Sequence, residues 1–228
     1  MARQPISSKY PKTGFVVGDG AGSLKARPKA ASLIAQCLAE WSEAEFQIGR
    51  LLATMLKADS EPTIALYFTL NNEKAKRDAL VAIADYTMQP RAKQVFDLIV
   101  RARDSVAKQR ADLAHGLYCL IDDEPNGIGW MSTKHRIKNW SDVKQQITSN
   151  GCGDYGSVGQ FISVYEIQDL ENLLNEINEV KYTIIQFNLY LEPGTGHYLD
   201  SEALDQLLKS PLALRFQNHT DTRQKSCP

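Results

Sequence analysis

Residues 34–55, IAQCLAEWSEAEFQIGRLLATM, set the fold class of this chain. Apolar side chains recur there at spacings of three and four, which is the period of one face of an α-helix. We therefore predict a helix of about seven turns that begins near Pro28, and we interpret Glu40, Glu43 and Glu45 as its solvated side. The apolar stripe consists of Ile34, Cys37, Leu38, Trp41, Ile48, Leu51, Leu52 and Met55.

Similar patterns predict further helices along the chain. Ser60 with Pro62 predicts a short helix, Asn72 is a cap for the next, and Pro90 begins a fourth that ends near Gly116. A capping-box pattern at 163–166 predicts the start of a last long helix, and a minor helix is expected at 200–209. Helices with one apolar stripe must pack against one another, so we predict an all-α protein, an antiparallel bundle of four to five helices.

A small β-hairpin is predicted as an insertion directly after the fourth helix. Leu117–Ile121 and Ile128–Ile137 have strand-like composition, and Asn126 with Gly127 between them is a hairpin signal. Gly116 is expected to end the preceding helix in a left-handed conformation.

These patterns divide the chain into a core and two flanks. Residues 1–27 hold five Lys/Arg against one Asp and lack an apolar period, so we predict a flexible basic N-terminal arm. Residues 28–192 form one bundle domain with the hairpin at about 117–137. We expect residues 193–216 to form a minor C-terminal helical segment and residues 217–228 to be a disordered tail.

Composition excludes several classes of protein. The net charge of −1 gives no bulk attraction to nucleic acid or membrane. The start of the chain lacks an apolar signal core, and no apolar run approaches the roughly 18 residues of a membrane span, so we expect a cytoplasmic protein without membrane contact. Four scattered cysteines form no C-x-x-C pair, so neither a zinc site nor a disulfide framework is predicted, and we expect no cofactor.

The run Lys108–Gly116 contains the residues that we predict to be catalytic. Arg110 supplies a permanent cation, and His115 supplies a base that titrates near neutral pH, the two ingredients that a phosphodiester reaction can use without metal. They lie five positions apart, which places them about 140° apart around a helix, so they flank a groove. Asp112 precedes His115 by three positions, so we expect its carboxylate to orient the ring and favour the imidazolium.

Arg110-Ala111-Asp112-Leu113-Ala114-His115 resembles the signature of the HEPN superfamily, Arg followed after four to six residues by His near the end of a bundle helix. By pattern the resemblance covers roughly residues 31–190. It implies a metal-independent ribonuclease with one composite cleft in a homodimer. In that case Arg110 stabilises phosphate charge, and His115 handles the proton of the attacking 2′-hydroxyl or of the leaving oxygen. Ala111 departs from the family, because cleaving members usually carry a polar residue there.

Two functions therefore stay open. The first is an endoribonuclease, a toxin or defence component with an antitoxin or regulatory partner, in which Arg110, His115 and Asp112 are the catalytic residues. The second is a non-catalytic helical module that binds RNA, a nucleotide or a protein. Lys108, Lys134 and Arg136 are the residues expected to contact the substrate. The basic, aromatic hairpin around them, with His135 near Tyr118 and Trp130, is either an RNA-contacting flap or a solvated strand with a packed Trp.

Overall fold

A computed structural model describes residues 4–5, 15–16, 20–121, 125–135, 161–196 and 199–216, with side chains from residue 20 onward. The fold is mainly helical with a small antiparallel sheet. The helices are α1 (Gly20–Ala26), α2 (Pro28–Leu56), α3 (Ser60–Thr69), α4 (Glu73–Thr87), α5 (Pro90–His115), α6 (Ile167–Leu191) and α7 (Ser201–Leu208). The strands are β1 (Gln4–Pro5), β2 (Phe15–Val16), β3 (Gly116–Ile121), β4 (Gly127–Ser132) and β5 (Ser163–Glu166).

Some predictions fall outside the described residues. These are the predicted tail at 217–228, the site residue Arg136, the end of the hairpin at 136–137 and most of the arm before residue 20. Within the described part of the chain, no helix is long and apolar enough to cross a membrane.

The chain divides into two compact units. The first unit comprises residues 1–38 and 108–175, and the second comprises residues 39–107 and 176–228. The boundaries fall within α2, α5 and α6. Each of these helices is longer than about 35 Å at about 1.5 Å per residue, which exceeds the diameter of a small domain.

The sheet belongs to the first unit. Its strand order is β1-β5-β4-β3-β2, and all neighbouring strands are antiparallel. The predicted hairpin is present as the β3–β4 pair, in which Gly116 lies opposite Ser132 and Tyr118 opposite Trp130. Residues 133–135 then form a short helical turn. One buried cluster lies on this sheet and comprises Cys119, Ile121, Met131, Ile162 and Val164.

The predicted capping box at 163–166 is wrong, because these residues form β5. The pairing of β5 with β4, in which Val164 lies opposite Gly129, outweighs the local preference of these residues for a helix start. Helix α6 begins one turn later, at Ile167. There the backbone N–H of Glu166 donates to the carboxylate of Asp169 at 3.0 Å, which is the reciprocal half of a capping box.

Part of the predicted flexible arm is also ordered. Residues 20–26 form α1, where Ser23 is buried and the backbone of Tyr118 lies 3.9 Å from a Cβ position at Gly20. The two-residue strands β1 and β2 pair with β5 and β3 at the sheet edges. The arm lacks an apolar period, but an open sheet edge offers unpaired N–H and C=O groups that such a segment can satisfy.

Helix directions in the second unit agree only partly with an antiparallel arrangement. Helices α4 and α5 run antiparallel, since Arg77 pairs with Asp104 at 3.3 Å and Lys93 with Asp85 at 3.1 Å. Helices α2 and α6 run parallel, since their contacts advance together: Glu40 with Lys181, Gln47 with Asn188, and Arg50 with Glu192. Short loops enforce antiparallel neighbours, whereas residues 57–166 separate these two helices.

Candidate functional site at the end of helix α5

Residues 108–115 of the run that the sequence singled out form the last two turns of α5, in the first unit, and Gly116 begins β3. The helix is continuous from Pro90 to His115, so the predicted spacing around the helix applies. His115 is its last residue and is exposed, whereas Arg110 is half-buried. The Nε atom of Arg110 is buried and has no hydrogen-bond partner among the described residues. The structure thus places an exposed imidazole and an incompletely satisfied guanidinium on one helix end.

Side chains from the sheet and from the turn that follows β4 cap the end of this helix. The last carbonyl oxygens of an α-helix have no N–H donor within the helix. Here Trp130 Nε1 donates to the oxygen of Asp112 at 2.7 Å, the Tyr118 hydroxyl to that of Leu113 at 2.6 Å, and Thr133 Oγ1 to that of His115 at 2.8 Å. The backbone that carries His115 is therefore held by the sheet that follows it.

Gly116 has a different role from the predicted left-handed cap. Among the described residues, Gly194 is the glycine with a positive φ, and Gly116 opens β3 in extended conformation. A Cβ atom at residue 116 would overlap the indole nitrogen and ring of Trp130. The absence of a side chain at Gly116 is what allows the indole of Trp130 to reach the oxygen of Asp112.

Tyr118 is suited to its capping role. Burial raises the pKa of the Tyr118 hydroxyl above its ordinary range, and the nearby Tyr165 and Cys37 add to this effect. The hydroxyl therefore stays protonated and donates to Leu113 at neutral and moderately alkaline pH.

The predicted substrate-binding residues are only partly brought together. Lys134 is exposed and lies next to Thr133, whose hydroxyl bonds the backbone of His115. Lys108 is exposed about two turns before His115, on the same helix. The third predicted residue, Arg136, lies outside the described residues.

Asp112 contributes to the described site through its backbone, since its carbonyl oxygen accepts the bond from Trp130. Its role as the group that orients the ring of His115 stays a prediction. Arg110 and His115 project about 140° apart from the helix, so they flank a surface and do not touch. A phosphate placed between them would meet a cation on one side and a proton-transfer group on the other.

Sequence reasoning missed a buried cluster of charges in the second unit. Glu45, interpreted above as solvated, is 5% exposed, and Lys76 and Arg103 are 9% and 3% exposed. Glu45 Oε1 accepts from Arg103 Nε at 2.8 Å, and Oε2 accepts from Lys76 Nζ at 3.1 Å and from the Tyr67 hydroxyl at 3.0 Å. Arg103 also donates to Glu73 at 2.5 Å.

The surroundings of Arg103 favour its charged guanidinium, and those of Tyr67 favour its neutral hydroxyl. Burial is the largest single effect on Arg103 and works to lower its pKa, but Glu45, Tyr67 and Glu73 together outweigh it, and the net shift is upward. Burial raises the pKa of Tyr67 above its ordinary range, and the negative charge of Glu45 raises it further. The cluster is therefore a paired, hydrogen-bonded network, which is the condition under which charges are found in a protein interior.

A signal for this cluster was present in the sequence. Glu45 follows Trp41 by four positions, Lys76 precedes Leu80 by four, and Arg103 follows Ile99 by four. Each charge therefore lies on the apolar stripe of its own helix, and a charge on such a stripe indicates a buried pair.

Comparisons with protein-family models, with curated proteins and with solved structures found no match to this chain.

Proposed function

We propose that this chain is a HEPN-like endoribonuclease that cleaves RNA without metal at the C-terminal end of α5. One observation carries the proposal: the Arg-x4-His run lies at a helix end where His115 is exposed and Arg110 keeps an unpartnered buried Nε. A buried guanidinium nitrogen without a partner is costly, and a phosphate oxygen would satisfy it.

In this proposal each residue has a defined part. The guanidinium of Arg110 stabilises the negative charge that develops on the phosphate, and His115 transfers a proton at the 2′-oxygen or at the leaving oxygen. Asp112 orients the ring of His115. Lys108, Lys134 and Arg136 contact the phosphates on either side of the cleaved bond.

We also propose how the helices pack and how two copies of the chain assemble. The helices form a bundle of four to five, in which consecutive long helices run antiparallel, and the α4–α5 ion pairs support this. Two copies pair through their motif helices to form one composite cleft. A toxin or defence role, held in check by an antitoxin or regulatory protein, fits a ribonuclease of this kind.

A non-catalytic RNA-binding module is the second candidate. Ala111 favours it, since this position is usually polar in cleaving members. In that case Arg110, Lys108 and Lys134 hold RNA, and His115 transfers no proton.

Cleavage of RNA by the purified chain in EDTA separates the two candidates. We expect cleavage by the wild type and a loss of at least about 100-fold in both Arg110→Ala and His115→Ala. Arg91→Ala is the matched control, because Arg91 is a surface arginine at the other end of α5 whose ion pair with Asp205 contributes little. RNA binding without cleavage would support the module, and unchanged cleavage in either site variant would remove that residue from the mechanism.

A further inference from the structure

The short helical turn at 133–135 carries a second exposed histidine, His135. In the sequence this residue was only part of a basic hairpin. The structure gives it a defined position relative to the end of α5.

The pairing of β3 with β4 sets that position. Gly116 lies opposite Ser132, so the residue before Gly116 and the residues after Ser132 lie at the same end of the strand pair. Opposed Cα atoms in antiparallel strands are about 4.5–5.5 Å apart. The 2.8 Å bond from Thr133 Oγ1 to the oxygen of His115 shows that the two stretches of backbone also lie close together beyond the ends of the strands. His115 and His135 therefore project from neighbouring stretches of backbone.

His135 is held by one side-chain contact and one backbone hydrogen bond. Its ring lies against that of Phe161, with ring centroids 4.9 Å apart and an angle of 38° between the planes. Its backbone N–H donates to Ser132 Oγ at 3.3 Å. Phe161 in turn packs against the buried cluster on the sheet. The imidazole of His135 is thus anchored along one face and exposed to solvent elsewhere.

The chemistry of the proposed reaction needs two proton transfers. The 2′-oxygen loses its proton as it forms a bond to phosphorus, and the 5′-oxygen gains one as its bond to phosphorus breaks. The products are a 2′,3′-cyclic phosphate and a 5′-hydroxyl end, with no change in oxidation state. The two oxygens lie on opposite sides of the phosphorus in an in-line displacement, so two separate groups serve them best.

We propose that His135 is the second proton-transfer group of the site, supplied by the same chain as His115, with single-stranded RNA as the substrate. This inference rests on the proposed ribonuclease function. One imidazole takes the proton of the 2′-hydroxyl and the other donates to the leaving 5′-oxygen. Arg110 stabilises the charge that develops on the phosphate.

A substrate with sulfur in place of the 5′-bridging oxygen tests which histidine protonates the leaving atom. Sulfur leaves as a thiolate and needs no proton, so it relieves the loss of the group that protonates the leaving atom. We expect His115→Asn and His135→Asn each to cleave ordinary RNA at least about 100-fold more slowly than the wild type. Only one of the two variants is expected to recover on the sulfur substrate, to within about tenfold of the wild type. Circular dichroism and thermal unfolding check that both variants are folded.

The outcomes separate this inference from the function on which it rests. If His135→Asn cleaves ordinary RNA like the wild type while His115→Asn does not, the ribonuclease stands and the role of His135 is wrong. Recovery of both variants, or of neither, on the sulfur substrate also overturns it. If the wild type cleaves neither substrate, the proposed function itself is wrong and the inference falls with it.

Mixing the two variants tests whether both groups come from one chain. A mixture of His115→Asn and His135→Asn is expected to stay as inactive as each variant alone, because every chain lacks one member of the pair. Recovery of activity on mixing would show that the two groups act across a dimer, against the same-chain assignment.

Discussion

The indole nitrogen of Trp130 donates a 2.7 Å hydrogen bond to the main-chain oxygen of Asp112, across the space that a side chain at Gly116 would fill. One strand thereby fixes the last turn of the helix that carries Arg110 and His115. The candidate site is built as much by the sheet as by the helix.

Removing this bond is expected to destabilise the protein. Trp130→Phe removes the indole donor to the oxygen of Asp112, at a cost of about 1–3 kcal/mol in the free energy of unfolding. Gly116→Ala displaces the whole indole and is expected to cost at least as much. Urea unfolding measures both. Gly196→Ala is the control, because a Cβ at residue 196 meets nothing within 4 Å, and an equal loss in this variant would contradict the account.

The buried charge of Glu45 gives a second stability prediction. Glu45→Gln removes the buried carboxylate that pairs with Arg103 and Lys76 and leaves them the exposed carboxylate of Glu73, so we expect a loss of up to about 3–5 kcal/mol. Glu43→Gln on the same helix is the matched control, because Glu43 is exposed and its change is expected to stay within about 1 kcal/mol. Similar unfolding free energies for the two variants would show that the cluster contributes no more than a surface pair.

The two buried thiols of Cys37 and Cys119 are expected to make the folded protein less stable at alkaline pH. Burial raises the pKa of Cys37 and of Cys119 from 9.0 to about 12. In the unfolded chain these thiols ionise near their ordinary pKa. The stability that each protonated thiol contributes to the folded state is therefore complete below about pH 9 and is lost as the pH rises toward 12. Each thiol lowers the unfolding free energy by up to about 1.4 kcal/mol per pH unit in that window.

Urea unfolding from about pH 7 to about pH 11 measures this slope. Cys119→Ala removes one of the two thiols and is expected to make the decline shallower by the contribution of that group. An unchanged slope in Cys119→Ala, or a stability that stays flat to the highest pH, would contradict the assignment.

The exposed lysines near the site give a prediction for RNA binding. Lys108→Ala and Lys134→Ala are each expected to weaken binding and to reduce the slope of log K against log salt by about 0.7, the value of one phosphate contact on a single strand. Lys74→Ala, an exposed lysine in the second unit, is the control. Binding titrations at several salt concentrations check this, and equal slopes for all four proteins would place RNA elsewhere.

Local signals in the sequence predicted much of the fold. Helix α5 begins at Pro90 as predicted, and Asn72 caps α4 by accepting from the N–H of Lys74 at 2.8 Å. The minor helix predicted at 200–209 is present as α7, capped by Asp200. These features depend on residues a few positions apart, which a single sequence displays directly.

Features that depend on distant residues were not predictable in the same way. The Ser163–Glu166 segment has a capping-box pattern, but its pairing with β4 depends on residues more than thirty positions earlier. The role of Gly116 depends on Trp130, which no local pattern connects to it. Glu45 was misplaced for another reason, since its polarity was weighed without its position on the apolar stripe.

Analysis of the RNA ends after cleavage in EDTA tests the central claim most directly. A single-stranded RNA cut by the wild-type chain is expected to carry a 2′,3′-cyclic phosphate and a 5′-hydroxyl. Neither end should form with Arg110→Ala, with His115→Ala or on a strand whose cleaved position lacks the 2′-hydroxyl. Ends with a 3′-hydroxyl and a 5′-phosphate, or the same cyclic ends from either variant at the wild-type rate, would contradict an Arg110–His115 site.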